Sequence, residues 1–255
     1  MTPPPSSCRV PDLDRLRPKG VSVQIIIPVF NEEGILEKQL APVLDALPSG
    51  FSVFVVENGS TDRTAAILSE MEARHGALSH DSLPHPNYGL AMKHGLTEAT
   101  GDVIIIDDLD VLDMDFWGRG LSILSDGGVD LVQGSKVLAG KGDARPLLRR
   151  AATLTLTFLL RTLLGFRGTD THGPKVMFRS AMAQVLPECT FELDLFPTEL
   201  VIRAQRMGIR IREIPIHLRE IRATPLPLAK RVPRAVRDIL RLRRELGGRF
   251  RTPPG

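Results

Sequence analysis

Only two cysteines occur in 255 residues, Cys8 and Cys189, and neither belongs to a C-x-x-C pair. A disulfide framework is therefore excluded, and reduced thiols in a cytosolic protein are expected. Aromatic residues are scarce as well, at 5% with a single tryptophan, so Leu, Ile and Val must build the core. No apolar run is long enough to cross a bilayer. The greasiest stretch, Ala151 to Phe166, is broken by Arg161 and falls short of the roughly 20 residues a span needs. The first seven residues, Met1-Thr-Pro-Pro-Pro-Ser-Ser7, carry no apolar segment of the kind a secretory signal requires. A cytoplasmic location is the expectation. Two nucleotide signatures are missing too. There is no G-x-G-x-x-G after the first strand and no G-x-x-x-x-G-K-S/T anywhere, so dinucleotide and P-loop readings lose their main support.

What is present looks globular. Hydrophobic residues make up 42% and charged residues 25%, which excludes a disordered, collagenous or coiled-coil chain. A chain of this length should bury about 70–75% of its unfolded surface. The net charge of +3 hides a division. From Arg203 onward 15 Lys/Arg face 4 Asp/Glu, a net +11, while residues 1–202 carry −8. An acidic body with a basic end is implied.

Residues 1–20 are proline-rich and read as a disordered lead-in, 21–220 as one α/β domain, and 221–255 as a basic tail. Val23–Phe30 is a near-continuous apolar run, as a parallel strand buried on both faces requires. Ile35, Leu36, Leu40, Val43 and Leu47 follow at helical spacing. A second strand, Phe51–Val56, runs into Glu57-Asn-Gly-Ser-Thr-Asp62, where Asp62 or Thr61 can cap a helix over Arg63–Arg74. A helix near Leu90–Ala99 precedes a third strand, Val103–Ile106, and the acid-dense turn Asp107–Asp113. Asp130–Gln133 reads as a shorter strand. This alternation predicts a mostly parallel sheet flanked by helices, with ligands bound beyond the carboxyl ends of its strands. Asn31-Glu32, Glu57–Asp62 and Asp107–Asp113 all fall on that rim. Acids there would repel a bare pyrophosphate, so a phosphate ligand would need a metal. Asp108-Leu-Asp110 suits Mg²⁺ or Mn²⁺ as a hard oxygen site.

The ordered motifs make a family resemblance visible. Ile25-Ile-Ile-Pro-Val-Phe-Asn-Glu-Glu33, Val55-Val-Glu-Asn-Gly-Ser-Thr-Asp-Arg-Thr64, Asn87-Tyr-Gly-Leu-Ala91 and Gly101-Asp-Val-Ile-Ile-Ile-Asp-Asp-Leu-Asp110 resemble glycosyltransferase family 2. So do Gly134-Ser-Lys136, Asp170–Lys175, Phe196–Gly208 and Ile211–Pro215, over roughly residues 22–220. The likeness extends to the polyprenyl-phosphate branch, similar to dolichyl-phosphate mannose synthases. It implies a GT-A nucleotide-sugar fold, with Pro28, Asn31 and Glu32 lining the nucleoside pocket. Glu57 and Asn58 would read the base and Asp62 would end that loop. Asp108 and Asp110 would be the metal pair, the register being open by one residue because Asp107 adjoins it. Glu199 corresponds to an acid facing the acceptor. Asn58 stands where an aspartate is usual, and Lys136 where an arginine is usual, which keeps a charge but loses the bidentate fork.

The implied reaction moves a sugar from a nucleoside diphosphate sugar to an acceptor such as a polyprenyl phosphate, in line and with inversion. A phosphate acceptor needs no strong base, whereas for a hydroxyl acceptor Glu199 or Asp194 could serve. The alternatives are a sugar nucleotidyltransferase, which lacks its Gly-rich basic loop here, and a degenerate transferase acting as a membrane adaptor. Several single residues carry less. His172 is read either as a phosphate contact or base or as a structural group, His94 and His217 as surface, Trp117 as core, and Asp113 and Asp115 as acids at a helix start. In the tail Val232, Val236, Ile239, Leu240 and Leu246 share one helical face, and Arg234, Arg237, Arg241 and Arg244 another. That helix either packs on the domain or lies on anionic lipid as a peripheral contact at the inner membrane face. Nucleic acid is disfavoured, because no aromatic interleaving accompanies the charge.

Overall fold

Seven strands form one sheet in the order β3-β2-β1-β4-β6-β5-β7. The computed structural model describes residues 11–139, 147–216 and 228–247, with backbone alone for 147–152 and 228–235. The strands are β1 (Val23–Val29), β2 (Phe51–Asn58), β3 (Leu78–Leu83), β4 (Val103–Ile106), β5 (Leu131–Ser135), β6 (Lys175–Phe178) and β7 (Ile211–Pro215). β1 pairs in parallel with β2 and β4, β2 with β3, and β5 with β7. β6 alone runs antiparallel, inserted between β4 and β5. The register sets Val29 against Glu57 and Ile26 against Ile106, so the ends of β1, β2 and β4 come out together on one rim.

The expected mostly parallel α/β sheet is therefore the observed one. β1 and β4 are buried at every position, which is why their sequences are unbroken apolar runs. Helices α2 (Leu36–Ala46), α3 (Thr64–Glu72) and α5 (Met114–Ser125) cover one face, packing Leu40, Leu68 and Trp117 with Ile25 and Ile27. α4 (Tyr88–Glu98) and α8 (Phe196–Arg206) cover the other, packing Met92, Leu96 and Leu200 with Ile26 and Ile104. A third cluster joins α6 (Leu147–Leu164) to α8 and α9 (Leu228–Glu245) through Leu160, Leu164, Ile202, Ile239 and Leu242.

Three departures from the sequence reading stand out. The lead-in expected over residues 1–20 is ordered from Pro11 on. Leu13, in the short helix α1 (Leu13–Leu16), is 2% exposed, and the Ser125 hydroxyl donates to the Leu16 carbonyl at 2.9 Å. Hydrophobic contact with α5 outweighs the prolines. Secondly, β3, β6 and β7 had no strand signal. Thirdly, α9 begins at Leu228 and turns Ile239 and Leu242 inward while leaving Leu240 43% exposed. The apolar face expected to sink into lipid is thus largely spent on α6 and α8. Val232 and Arg234 have no described side chains, and Cys8 and His217 lie outside the described residues. Among the described residues, no helix is long and apolar enough to cross a membrane.

Candidate active site

At the rim, the loops after β1 and β2 are laced together. Asn31 takes the left-handed conformation, φ 53°, which an asparagine tolerates better than most residues. Its amide donates to the Ser60 hydroxyl at 2.9 Å and its Oδ1 accepts the Thr61 amide at 2.8 Å. The Glu32 amide donates to Thr64 Oγ1 at 2.8 Å, and the Glu33 amide to Asp62 Oδ2 at 3.2 Å. Asp62 also accepts the Thr64 amide at 2.9 Å from two residues before α3, whose N-cap position falls on Arg63 and carries no side-chain cap, in place of the cap expected from Asp62 or Thr61. Burial acts to raise the Asp62 pKa, but hydrogen bonds from the Thr64 hydroxyl and the Thr64 and Glu33 amides outweigh it and leave it lowered. Glu57 is 3% exposed and accepts the Ser60 amide, bracing its own turn. That turn closes over Gly59 (φ 70°), where a Cβ would stand 2.8 Å from the His85 backbone.

A cleft of about 170 Å³ opens beside these loops, lined by Pro28, Phe30, Glu32, Asn58, Tyr88, Asp108 and Asp110 among others. Five of the residues singled out in the sequence, Pro28, Glu32, Asn58, Asp108 and Asp110, therefore meet in one place. Asn31, Glu57 and Asp62 do not line it; their hydrogen bonds brace the loops that do.

Within the acid turn the three carboxylates are not equivalent. Asp107 is 2% exposed and accepts hydrogen bonds from the Asp108 amide (2.8 Å), the Asp113 amide (3.1 Å) and Trp117 Nε1 (2.7 Å). Burial and the neighbouring Asp108 charge push its pKa up to about 8. Asp107 holds the turn from inside, while Asp108 and Asp110 face the cleft. Trp117 is core, as expected, and its indole N–H finds the partner a buried tryptophan needs. Asp113 caps α5 through the Phe116 amide at 2.9 Å. The Tyr88 hydroxyl donates to Asp108 Oδ1 at 2.9 Å. Burial and the Asp108 charge push the phenol well above its ordinary pKa, so it stays a donor.

Would these residues suit a divalent metal? Among the described residues, no group of three or more His, Cys, Asp or Glu is arranged to hold one. Two cleft-facing carboxylates nevertheless fit Mg²⁺ or Mn²⁺, which keep waters and share their coordination with substrate phosphates.

Beside the acid turn, β6 and β5 bring in two lysines, Lys175 in register with Ile106. The Lys136 amide donates to Asp170 Oδ2 at 3.1 Å. Lys175 opens β6 at 1% exposure, its ammonium donating to the Thr171 (3.0 Å) and Gly173 (2.9 Å) carbonyls. Burial lowers its pKa to about 8, with Asp170 and Asp108 holding it from falling further. The sequence motif contained Lys175 but gave it no role. A lysine inside the run Lys-Val-Met-Phe178 was the available signal. His172 donates through Nε2 to the Asp194 carbonyl at 3.0 Å, which leaves Nδ1 to accept the Thr171 hydroxyl.

The two acids expected near the acceptor differ. Asp194 is exposed, on the 3₁₀ turn Leu193–Leu195. Glu199 is 0% exposed, with both oxygens taken: it accepts the Thr190 and Phe191 amides and Arg203 Nε at 2.7 Å. A carboxylate so committed braces the 190–191 backbone. The expectation that it faces an acceptor is not met.

A GT-A fold with an acid-lined cleft at its carboxyl rim is the frame of a nucleotide-sugar transferase. The model of "Glycosyl transferase family 2" matches residues 24–186, and the chain belongs to that family. An uncharacterised glycosyltransferase of Mycobacterium tuberculosis is 31% identical over 198 residues, covering 77% of this chain and 85% of that one. A dolichyl-phosphate hexose transferase of Haloferax volcanii is 28% identical over 197 residues, covering 77% and 82%. Among solved structures, glucosyl-3-phosphoglycerate synthase of M. tuberculosis, with Mn²⁺, UDP-glucose and phosphoglyceric acid, superposes with a TM-score of 0.59. At 19% identity over 97% of this chain and 86% of that one, it establishes the shared fold.

Proposed function

We propose that this glycosyltransferase transfers a sugar from a nucleoside diphosphate sugar to a polyprenyl phosphate. The reading is carried by the meeting of Asn58 with Asp108 and Asp110 in one cleft of a family 2 chain. Pro28, Glu32 and Asn58 bind and orient the nucleoside, and the laced loops behind them exclude water. Asp108 and Asp110 would hold Mg²⁺ or Mn²⁺, which when bound neutralises charge on the leaving diphosphate. Lys136 would contribute a point charge toward the diphosphate. Displacement in line gives inversion, and positioning supplies much of the acceleration. The acceptor class is supported by the relative named as a dolichyl-phosphate hexose transferase. It is supported also by the commitment of Glu199, because an acceptor that is already an anion needs no strong base. For a hydroxyl acceptor, Asp194 would remain.

A panel of UDP-, GDP- and dTDP-sugars, with and without Mn²⁺, tests this by thermal shift, followed by transfer to a short polyprenyl phosphate. One nucleotide should stabilise the protein in a metal-dependent way. No stabilisation by any would favour the degenerate adaptor. In the same panel, Glu57→Ala should weaken the bound nucleotide by about 1–3 kcal/mol, the usual cost of unpairing a buried charged hydrogen bond. Unchanged affinity would show that the turn braced by Glu57 does not shape the nucleotide pocket.

A second element of the reading is peripheral attachment to anionic lipid at the cytoplasmic membrane face. Arg237, Arg241, Arg243 and Arg244 are exposed on α9, and Leu240, Leu154 and Phe158 are 43%, 57% and 64% exposed on α9 and α6. Each basic residue near such a surface is worth about 1 kcal/mol, screened over about 8 Å at physiological salt. The double variant Arg237→Glu with Arg244→Glu should lose co-sedimentation with phosphatidylglycerol vesicles. Binding equal to the parent's, or indifferent to salt, would remove lipid from the account.

A further inference from the structure

The first residues of α4 link parts of the site that are far apart in sequence. The Asn87 amide donates to Asn58 Oδ1 at 2.6 Å, and Asn58 lines the cleft. Its side chain faces elsewhere. Oδ1 accepts the Leu90 amide at 3.0 Å, capping the helix, and also the Leu193 amide at 2.9 Å. Nδ2 donates to Glu192 at 3.1 Å. Tyr88, next in the chain, donates to Asp108. Gly89 then permits a close approach: a Cβ there would stand 2.1 Å from the Leu193 carbonyl oxygen and 2.9 Å from the Glu192 carbonyl carbon.

The segment so gripped is itself unusual. Leu193 has φ 61°, a conformation that favours glycine, and it leaves its side chain 43% exposed. Strain of this kind persists only where surroundings over-determine it. Here they do. Lys93 donates to the Cys189 carbonyl at 2.7 Å, Glu199 accepts the Thr190 and Phe191 amides, and His172 donates to the Asp194 carbonyl. A cap needs only one acceptor contact within its own helix. Asn87 makes that contact and also holds a turn 106 residues away.

We propose that Asn87 is a positioning residue that couples the nucleoside pocket to the 190–195 rim, so that a nucleotide bound at Asn58 fixes the Leu193–Asp194 turn for the acceptor. The proposal rests on the donor reading given above. A ligand that orients Asn58 fixes the partner of the Asn87 amide, and through it the start of α4 and the gripped turn. Ordering by the first substrate then need not be repeated for the second, which is cooperativity without a large movement.

The test uses amide hydrogen exchange on the full chain, alone and with UDP or GDP plus Mn²⁺. In the parent, the nucleotide should slow exchange at residues 192–195. Asn87→Ser keeps a good helix cap but is too short to reach Leu193. It should raise exchange there about tenfold and abolish the nucleotide's effect, with nucleotide affinity within about threefold of the parent's. Gly89→Ala, which forces the same turn away while keeping every hydrogen-bonding side chain, should act alike. At saturating donor, both should lose about tenfold in kcat/KM toward the polyprenyl phosphate probe. Parent-like exchange in Asn87→Ser would overturn the proposal, as would a retained nucleotide effect, or nucleotide affinity falling in step with transfer. A parent that binds no nucleotide would sink the donor reading and this coupling together. If the parent binds nucleotide but transfers nothing to polyprenyl phosphate, only the acceptor assignment falls, and the exchange measurements still decide the role of Asn87.

Discussion

Asp110→Asn should abolish Mn²⁺-dependent nucleotide binding and lower transfer by about 10²–10³-fold, while the melting temperature stays near the parent's. A ligand charge is removed from a site where the metal is worth several kcal/mol to the departing diphosphate. The change falls on a carboxylate that faces the cleft, not on Asp107, whose three hydrogen bonds hold the turn together. Titration of Mn²⁺ in the presence of UDP or GDP reads the loss without needing turnover. Metal affinity and transfer equal to the parent's would show that Asp110 is not a ligand. Asp108→Asn is the less clean probe, because it also disturbs the Tyr88 hydroxyl.

Glu199→Ala should be a stability variant before it is anything else. Glu199 and Arg203 are 0% and 13% exposed, and the same carboxylate receives two backbone amides. Removing one partner of such a pair strands a buried guanidinium and two N–H groups, at a cost of about 3–5 kcal/mol. For a chain of this size that lowers the melting temperature by roughly 10 °C. Measured well below that midpoint, nucleotide binding should persist, and transfer should fall far less than the 10²–10⁴-fold typical of a lost general base. An unaltered midpoint with transfer reduced a hundredfold would restore Glu199 to the catalytic role the family likeness suggested.

Why the likeness misled at Glu199 is instructive. Position in a motif says where an acid lies along α8 but not which way it points. Arg203, four residues on, was the local sign of a helical ion pair. The meeting of Asp108 and Asp110 at the cleft was legible because both follow an unbroken apolar strand, whose end is fixed by burial. The inward turn of Asp107 was not, since it depends on an indole ten residues later. Strands β1, β2 and β4 could be read because both their faces are covered. β3, with Ser79, His80, Asp81 and Ser82, lies at a sheet edge where polar residues are tolerated. β6 is four residues long and opens on a lysine, and β7 alternates Ile-Arg-Glu-Ile-Pro at the other edge. None offers the unbroken apolar run that marks β1 and β4. Asn87 and Tyr88 stand in a recognised motif but received no role, for a different reason. Each acts on a residue that only the sheet brings near.

The one reversed strand also dictates an order of assembly. β3, β2, β1 and β4 are contiguous in both sequence and space, so the half of the rim bearing Asn58, Asp108 and Asp110 can form from the first 110 or so residues as they emerge. β5 cannot follow directly, because its place beside β4 is reserved for a strand that has not yet been made. Until Lys175–Phe178 arrives, β4 presents an open edge of Val-Ile-Ile-Ile, the kind of apolar edge that invites aggregation. When β6 slots in, it closes that edge, admits β5 and delivers Lys175 to the site in the same event.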